Sequence, residues 1–223
     1  MFQLLIVTLF LYTIITSWIR SLKINRNYSD LSVVITGCDS GFGQELAYRL
    51  DKHKFNVFAA CLTTEGAKKL EQTTSKTLKT AVVDIRHPET ITQLLKLVKD
   101  YIIDDTKLWA LVNNAGTLGP MGTCGLLKKD EYLQVMDVNF FGMMGVTQQF
   151  LPLLRKSKGR IINTSSISGK IAMPFLQPYA VSKFCVEAFS DCLRPYFVVL
   201  VLRFSGDEIN RISINIGFNQ FNK

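Results

Sequence analysis

Short apolar runs that alternate with helical segments constrain this chain more than any other feature. Leu31-Ser32-Val33-Val34-Ile35 is a first apolar run, and Phe42 to Leu50 follows with helical spacing. "FNVFAAC" (Phe55 to Cys61) is a second run, followed by a helix near Glu65 to Gln72. Leu78 to Val83 reads as a third strand, and Pro88 suits the first turn of a helix reaching about Ile102. "LWALVNN" supplies strand four, and Lys129 to about Lys156 a long helix with Pro152 near its end. "RIINTSS" supplies strand five, and Pro178 to Arg194 a further helix. Such alternation demands right-handed crossovers and a buried parallel sheet. The expected fold is α/β, a doubly wound parallel sheet of Rossmann type.

Between the first strand and first helix lies "TGCDSGFG", with Gly37, Gly41 and Gly43 in GxxxGxG spacing. Glycines there permit a tight turn and close approach of backbone to a pyrophosphate, and the helix N-terminus adds N–H donors and positive potential. On a strand–turn–helix that opens a βαβ series, the pattern points to a dinucleotide. The end of strand two reads "AACLTTEG", with no Asp for the ribose hydroxyls and no Arg for a 2′-phosphate. Asp39 in the loop would repel such a phosphate, so the reading favours NAD over NADP.

"QPYAVSKF" places Tyr179 four residues before Lys183, so the two share a helix face. A neighbouring ammonium favours a phenolate, which would suit Tyr179 to general acid–base work. Lys183 is also placed to bind cofactor ribose hydroxyls. Ser166, just after strand five, is a candidate to orient a substrate oxygen at the C-terminal edge of the sheet. Asn139 is a polar residue within the apolar "VMDVNFFGMM" and a candidate to hold a water beside Lys183.

Taken together, "TGCDSGFG", "NNAG" (Asn113 to Gly116), Asn139, Ser166 and "YAVSK" resemble the signature set of the short-chain dehydrogenase/reductases, from about Leu31 to Arg194. "FLPLLRKSKGRIIN" and "EAFSDCLR" resemble its membrane-associated retinol and hydroxysteroid dehydrogenase branch. The resemblance implies hydride transfer between a nicotinamide and an alcohol carbon. Tyr179 would be the base, Lys183 its partner, Ser166 the substrate-oxygen ligand and Asn139 the fourth member. It implies that Gly37, Ser40, Gly41, Phe42 and Gly43 cradle the pyrophosphate. Asp84 would meet the adenine edge, and Asn113, Asn114, Ala115 and Gly116 would line the cofactor groove. A homodimer through the two long helices is the implied assembly.

Phe2 to Ile19 carries no charge and is just long enough to cross a bilayer core of about 30 Å. Arg20, Lys23 and Arg26 follow it, so an uncleaved anchor with the domain on the cytosolic face is expected, the alternative being a hydrophobic hairpin or interfacial segment that does not span. The expected location is the endoplasmic reticulum membrane. Sequons occur at Asn27 and Asn163, the latter at a strand end expected to be buried. The net charge of +8 reads as a solvated basic surface or one near anionic lipid. No Lys/Arg run interleaved with aromatics argues for nucleic acid. Five cysteines without a CxxC suggest neither a disulfide framework nor a zinc site, and Cys185 and Cys192 read as core thiols. His53 and His87 sit in polar, surface-like contexts, and neither GxSxG nor HExxH is present.

After Arg194 the pattern departs from the family. Pro195 would stop the helix, "YFVVLVLRF" has strand character, and "RISINIGF" (Arg211 to Phe218) faintly resembles the family's sixth strand with Ile216-Gly217 in place of Pro-Gly. The expected organisation is an anchor at 1–19, a basic linker at 20–30, a catalytic domain at 31–194 and an atypical tail at 195–223. The expected activity is NAD-dependent interconversion of a lipophilic alcohol and its carbonyl. The alternative is a truncated, impaired form that only binds cofactor or pairs with a relative.

Overall fold

The computed structural model describes residues 28–102 and 104–204. The Phe2–Ile19 run, the Asn27 sequon and "RISINIGF" lie outside the described residues. No helix among the described residues is long and apolar enough to cross a membrane.

Among the described residues, six strands form one parallel sheet in the order β3-β2-β1-β4-β5-β6. They are β1 (Ser32–Thr36), β2 (Asn56–Cys61), β3 (Leu78–Val82), β4 (Leu108–Asn113), β5 (Arg160–Ser166) and β6 (Val198–Phe204). The intervening helices are α1 (Gly41–Lys52), α2 (Thr64–Thr73), α3 (Pro88–Tyr101), α4 (Lys129–Met136), α5 (Met143–Ser157) and α6 (Gln177–Leu193). With right-handed crossovers, α1 and α2 carry the chain outward from β1 to β3. Helix α3 then returns it past β1, and the chain winds the other way to β6. The order reverses between β1 and β4, and open sheets of this kind bind ligands at that point, beyond the strands' C-terminal ends.

Every residue of β1 is buried, as a strand covered on both faces must be. One face of the sheet packs on α3 and α5. Ile91, Leu94 and Val98 meet Val146, Phe150 and Leu154 over Val34, Phe58, Leu111 and Ile161. The apolar spacing of α3, with buried residues at 91, 94 and 98, is that of a helix presenting one stripe to a sheet.

Three expectations change on folding. The long helix from Lys129 is not uniform: Asp137–Gly142 is a π-helical segment between α4 and α5. The extra residue per turn alters which side chains face the sheet edge, and Asn139 lies within it. The sixth strand comes from "YFVVLVLRF", which pairs in register with β5 from Arg160↔Val198 to Ser166↔Phe204. The sheet therefore continues past Arg194, and α6 stops at Leu193, just before Pro195. Cys185 and Cys192 are not core thiols: Cys185 is half-buried and Cys192 exposed, whereas Cys38 and Cys61 are buried. The seven-residue spacing of Cys185 and Cys192 shares a helix face, but the face that packs carries Lys183, Val186, Glu187 and Ser190.

Candidate active site

The glycine-rich turn is built by close approach. Gly37 has φ +70° and lies so near β4's exit that a β-carbon would meet Ala115 Cα at 2.6 Å. A β-carbon on Gly43 would collide with the Gly37 carbonyl oxygen and the Asn114 amide. Gly41, at φ +60°, faces open space. Helix α1 starts there; Ser40 precedes it without a side-chain cap, and the first turn holds no acidic residue. An uncapped, acid-free N-terminus behind an open glycine fits an anionic pyrophosphate. Gly37, Ser40, Gly41, Phe42 and Gly43 lie together in this turn and the start of α1.

Asn114, expected along the cofactor groove, and Thr36, to which the sequence reading gave no role, lock this turn. Asn114 Nδ2 donates to the carbonyls of Thr36 and Gly37, both at 3.0 Å. The Thr36 hydroxyl accepts from the amides of Asn114 and Ala115, both at 3.1 Å. Asn113 serves elsewhere. Its Nδ2 donates to Thr147 Oγ1 at 2.9 Å and to Asn163 Oδ1 at 2.8 Å. Asn163 Nδ2 donates in turn to Ser190 Oγ at 2.8 Å. This buried relay ties β4 and β5 to α5 and α6, and it leaves Asn163 of the second sequon fully buried. Adjacent residues of a strand point to opposite faces, which is the signal that separates Asn113 from Asn114.

Asp39 binds backbone. Its carboxylate accepts from Leu62 N at 2.7 Å, Thr63 N at 2.8 Å and Thr63 Oγ1 at 2.7 Å, pinning the end of β2 to the glycine turn. Burial pushes its carboxyl up, but the bonds from Thr63 and Leu62 outweigh that and hold it below the usual carboxylate value. Asp84, at the end of β3, is forked by Arg86, with Nε at 2.9 and 3.1 Å from its two oxygens. That hydrogen-bonded guanidinium holds the Asp84 carboxyl low despite partial burial.

The acid–base group gathers beyond β5. Lys183 is 4 % exposed. Its Nζ donates to the Thr164 carbonyl at 2.9 Å and lies 5.5 Å from the Tyr179 ring centroid. Burial lowers its ammonium to about 8. Asn139 is buried with all three polar contacts inward: Thr117 N donates to its Oδ1 at 2.8 Å, and its Nδ2 donates to Thr117 O at 2.8 Å and Ser182 Oγ at 2.9 Å. Both amide protons are thereby committed, so the side chain positions the loop after β4. A β-carbon on Gly116 would lie 3.3 Å from Asn139 Oδ1 and 3.7 Å from Lys183 Nζ, which puts these groups around one point. Ser182, unmarked by the sequence reading, passes the contact on by donating to the Tyr179 carbonyl at 2.7 Å. Ser166 is buried at the end of β5, its hydroxyl accepting from Ser168 N at 3.1 Å.

A doubly wound parallel sheet with a glycine-rich first turn, and with half-buried Tyr179 beside buried Lys183 at its C-terminal edge, has the architecture of a Rossmann-type fold. A sequence profile described as short chain dehydrogenase matches residues 32–197, and the chain belongs to that family. It is 45 % identical over 177 residues to 17-beta-hydroxysteroid dehydrogenase type 6 of Homo sapiens, covering 79 % of this chain and 55 % of that protein. It is 42 % identical over 201 residues to retinol dehydrogenase 16 of Mus musculus, covering 86 % of this chain and 63 % of that one. The chain thus spans little more than half the length of these relatives. Among solved structures, KRED1-Pglu enzyme superposes with a TM-score of 0.71 at 26 % identity, over 77 % of this chain and 72 % of that one.

Proposed function

We propose that this protein is an NAD-dependent oxidoreductase that interconverts a lipophilic alcohol, a retinol or a hydroxysteroid, and its carbonyl. The carrying observation is the Tyr179–Lys183 pair, its ammonium buried and fixed to Thr164 beside the phenol ring. The names of its relatives support the substrate class. In this reading Tyr179 takes the alcohol proton and returns it in the reverse direction, while Ser166 holds the same oxygen. Lys183 keeps a positive charge next to Tyr179 and reaches the cofactor ribose. Asn139 and Ser182 hold the loop after β4 against α6, which keeps Gly116 close to Lys183. NAD, when bound, supplies the hydride acceptor, and the cofactor carries that chemistry. The glycine turn and the α1 N-terminus would hold its pyrophosphate, Asp84 its adenine edge, and Asn114, Ala115 and Gly116 the wall opposite. The Asp39 carboxylate in the glycine turn supports NAD over NADP.

The uncharged Phe2–Ile19 run supports membrane anchoring, with the domain on the cytosolic side of the endoplasmic reticulum. Exposed Phe141, Val181 and Phe184 on the long helices support a homodimer formed through them. The test is reduced-cofactor formation by the full chain in detergent, given NAD with all-trans-retinol and a hydroxysteroid panel. Turnover that drops by about 10²–10⁴ in Tyr179→Phe, with NADH binding retained, is the expected result. NADH binding without turnover in the unaltered chain would sink the enzymatic reading and favour a cofactor-binding or pairing role.

A further inference from the structure

The turn that carries Ser166 comes closer to α6 than a side chain permits. A β-carbon at Gly169 would stand 2.7 Å from Ser165 Oγ, 2.9 Å from the Lys183 carbonyl oxygen and 3.1 Å from Glu187 Cγ. The next residue, Lys170, reaches back to the same helix, with Nζ 3.2 Å from Glu187 Oε2. The two partners are unequal: the Glu187 side chain is 4 % exposed and that of Lys170 48 %. A buried carboxylate is costly to desolvate, and well-packed apolar side chains often serve stability as well as such a pair does. Stability alone is therefore a poor reason for Glu187. Its position suggests another, because it follows Lys183 by one helical turn on the same face.

Asn163–Ser190 and Thr164–Lys183 join α6 to the body of β5. Within the turn, Ser168 N donates to Ser166 Oγ, and the amides of Lys170 and Ile171 donate to the Ile167 carbonyl. Those bonds are internal, whereas the Lys170–Glu187 pair joins the turn to α6.

We propose that Gly169, Lys170 and Glu187 are positioning residues: the glycine lets the Ser166 turn close on α6, and the ion pair sets the register between Ser166 and the Tyr179–Lys183 pair. They act through Ser166 and Lys183 and touch neither substrate nor cofactor. The inference rests on the oxidoreductase reading above.

The test compares the full chain with Gly169→Ala, Lys170→Met, Glu187→Leu and the Lys170→Met/Glu187→Leu double variant. Each is followed by kcat, KM, NADH affinity, Tm and amide hydrogen exchange across the Ser166 turn. The single variants should lose about 10–100-fold in kcat, the scale of a misplacement near 1 Å, with NADH affinity changed less than about twofold. The double variant should regain Tm without regaining kcat. Recovery of kcat together with Tm, or unchanged kcat in all single variants, would overturn the proposal and leave a structural ion pair. If the unaltered chain shows no turnover, the functional reading fails, and exchange decides the positioning claim separately. Faster exchange at Ser168 and Lys170, with β1 and α1 unchanged, supports it; unchanged exchange at the turn refutes it.

Discussion

Lys183 shows how a single residue is set against the stability of its own fold. Burial lowers its ammonium from 10.5 to about 8, so the folded chain holds that proton less firmly than the unfolded chain. Below about pH 8 both states are protonated, and the fold bears the whole cost of the buried charge. Between about pH 8 and 10.5 the folded chain has released a proton that the unfolded chain keeps, so stability rises with pH. Above that window the effect is gone. Lys183→Met should therefore raise unfolding stability by about 1–3 kcal/mol at pH 7, with the gain vanishing above about pH 10.5, as urea unfolding at the two pH values will show. The same variant should lose turnover, since a strained functional residue commonly trades stability for activity. A Lys183→Met chain less stable than the parent at pH 7 would mean that the bond to Thr164 outweighs the burial cost.

At the scale of elements, the glycine turn shows what local pattern conveys. GxxxGxG after an apolar run places a strand, a turn and a helix, and the structure has all three there. The pattern also marks Gly43 as a position without room. A Gly43→Ala β-carbon would press on the Gly37 carbonyl and on the Asn114 amide that locks the turn. Overpacking of this kind costs about 1–3 kcal/mol, and here it falls on the cofactor loop. NADH affinity, read by fluorescence, should weaken by at least about tenfold while β4, β5 and α6 keep their slow amide exchange. A variant that binds NADH as tightly as the parent would show that the turn tolerates the shift. The long helix was less legible. Its apolar spacing runs on through Asp137–Gly142, and nothing in that spacing announces a π segment. The segment puts Asn139 within reach of Thr117 and Ser182, two partners distant in sequence.

For the whole molecule, β6 is the strand that extends the sheet past β5 among the described residues. Val198–Phe204 pairs along all of β5, and Val199 joins the core with Leu108 and Ile161. A chain stopped after Phe197 would leave β5 as a bare edge of unpaired backbone groups, a ready template for other chains. Such a chain should be recovered as aggregate or as a partly folded species of raised hydrodynamic radius in size-exclusion chromatography. A monodisperse truncated chain with parent-like Tm would show that β6 adds nothing to the fold.

The sequence by itself determined the alternation, the first five strands, the glycine turn and the spacing of Tyr179 and Lys183, because these depend on local periodicity and on contacts within one turn of helix. It also offered no support for acyl-transfer or metal-hydrolysis chemistry, whose motifs are contiguous. Only the tertiary structure decided which of two adjacent asparagines locks the turn, that Asn139 is spent on Thr117 and Ser182, and that Cys192 faces outward. It alone showed Glu187 buried against the Ser166 turn and "YFVVLVLRF" as the sixth strand. Each of these depends on partners many residues away, and a partner's distance in space is set by the packing of the sheet rather than by any local pattern.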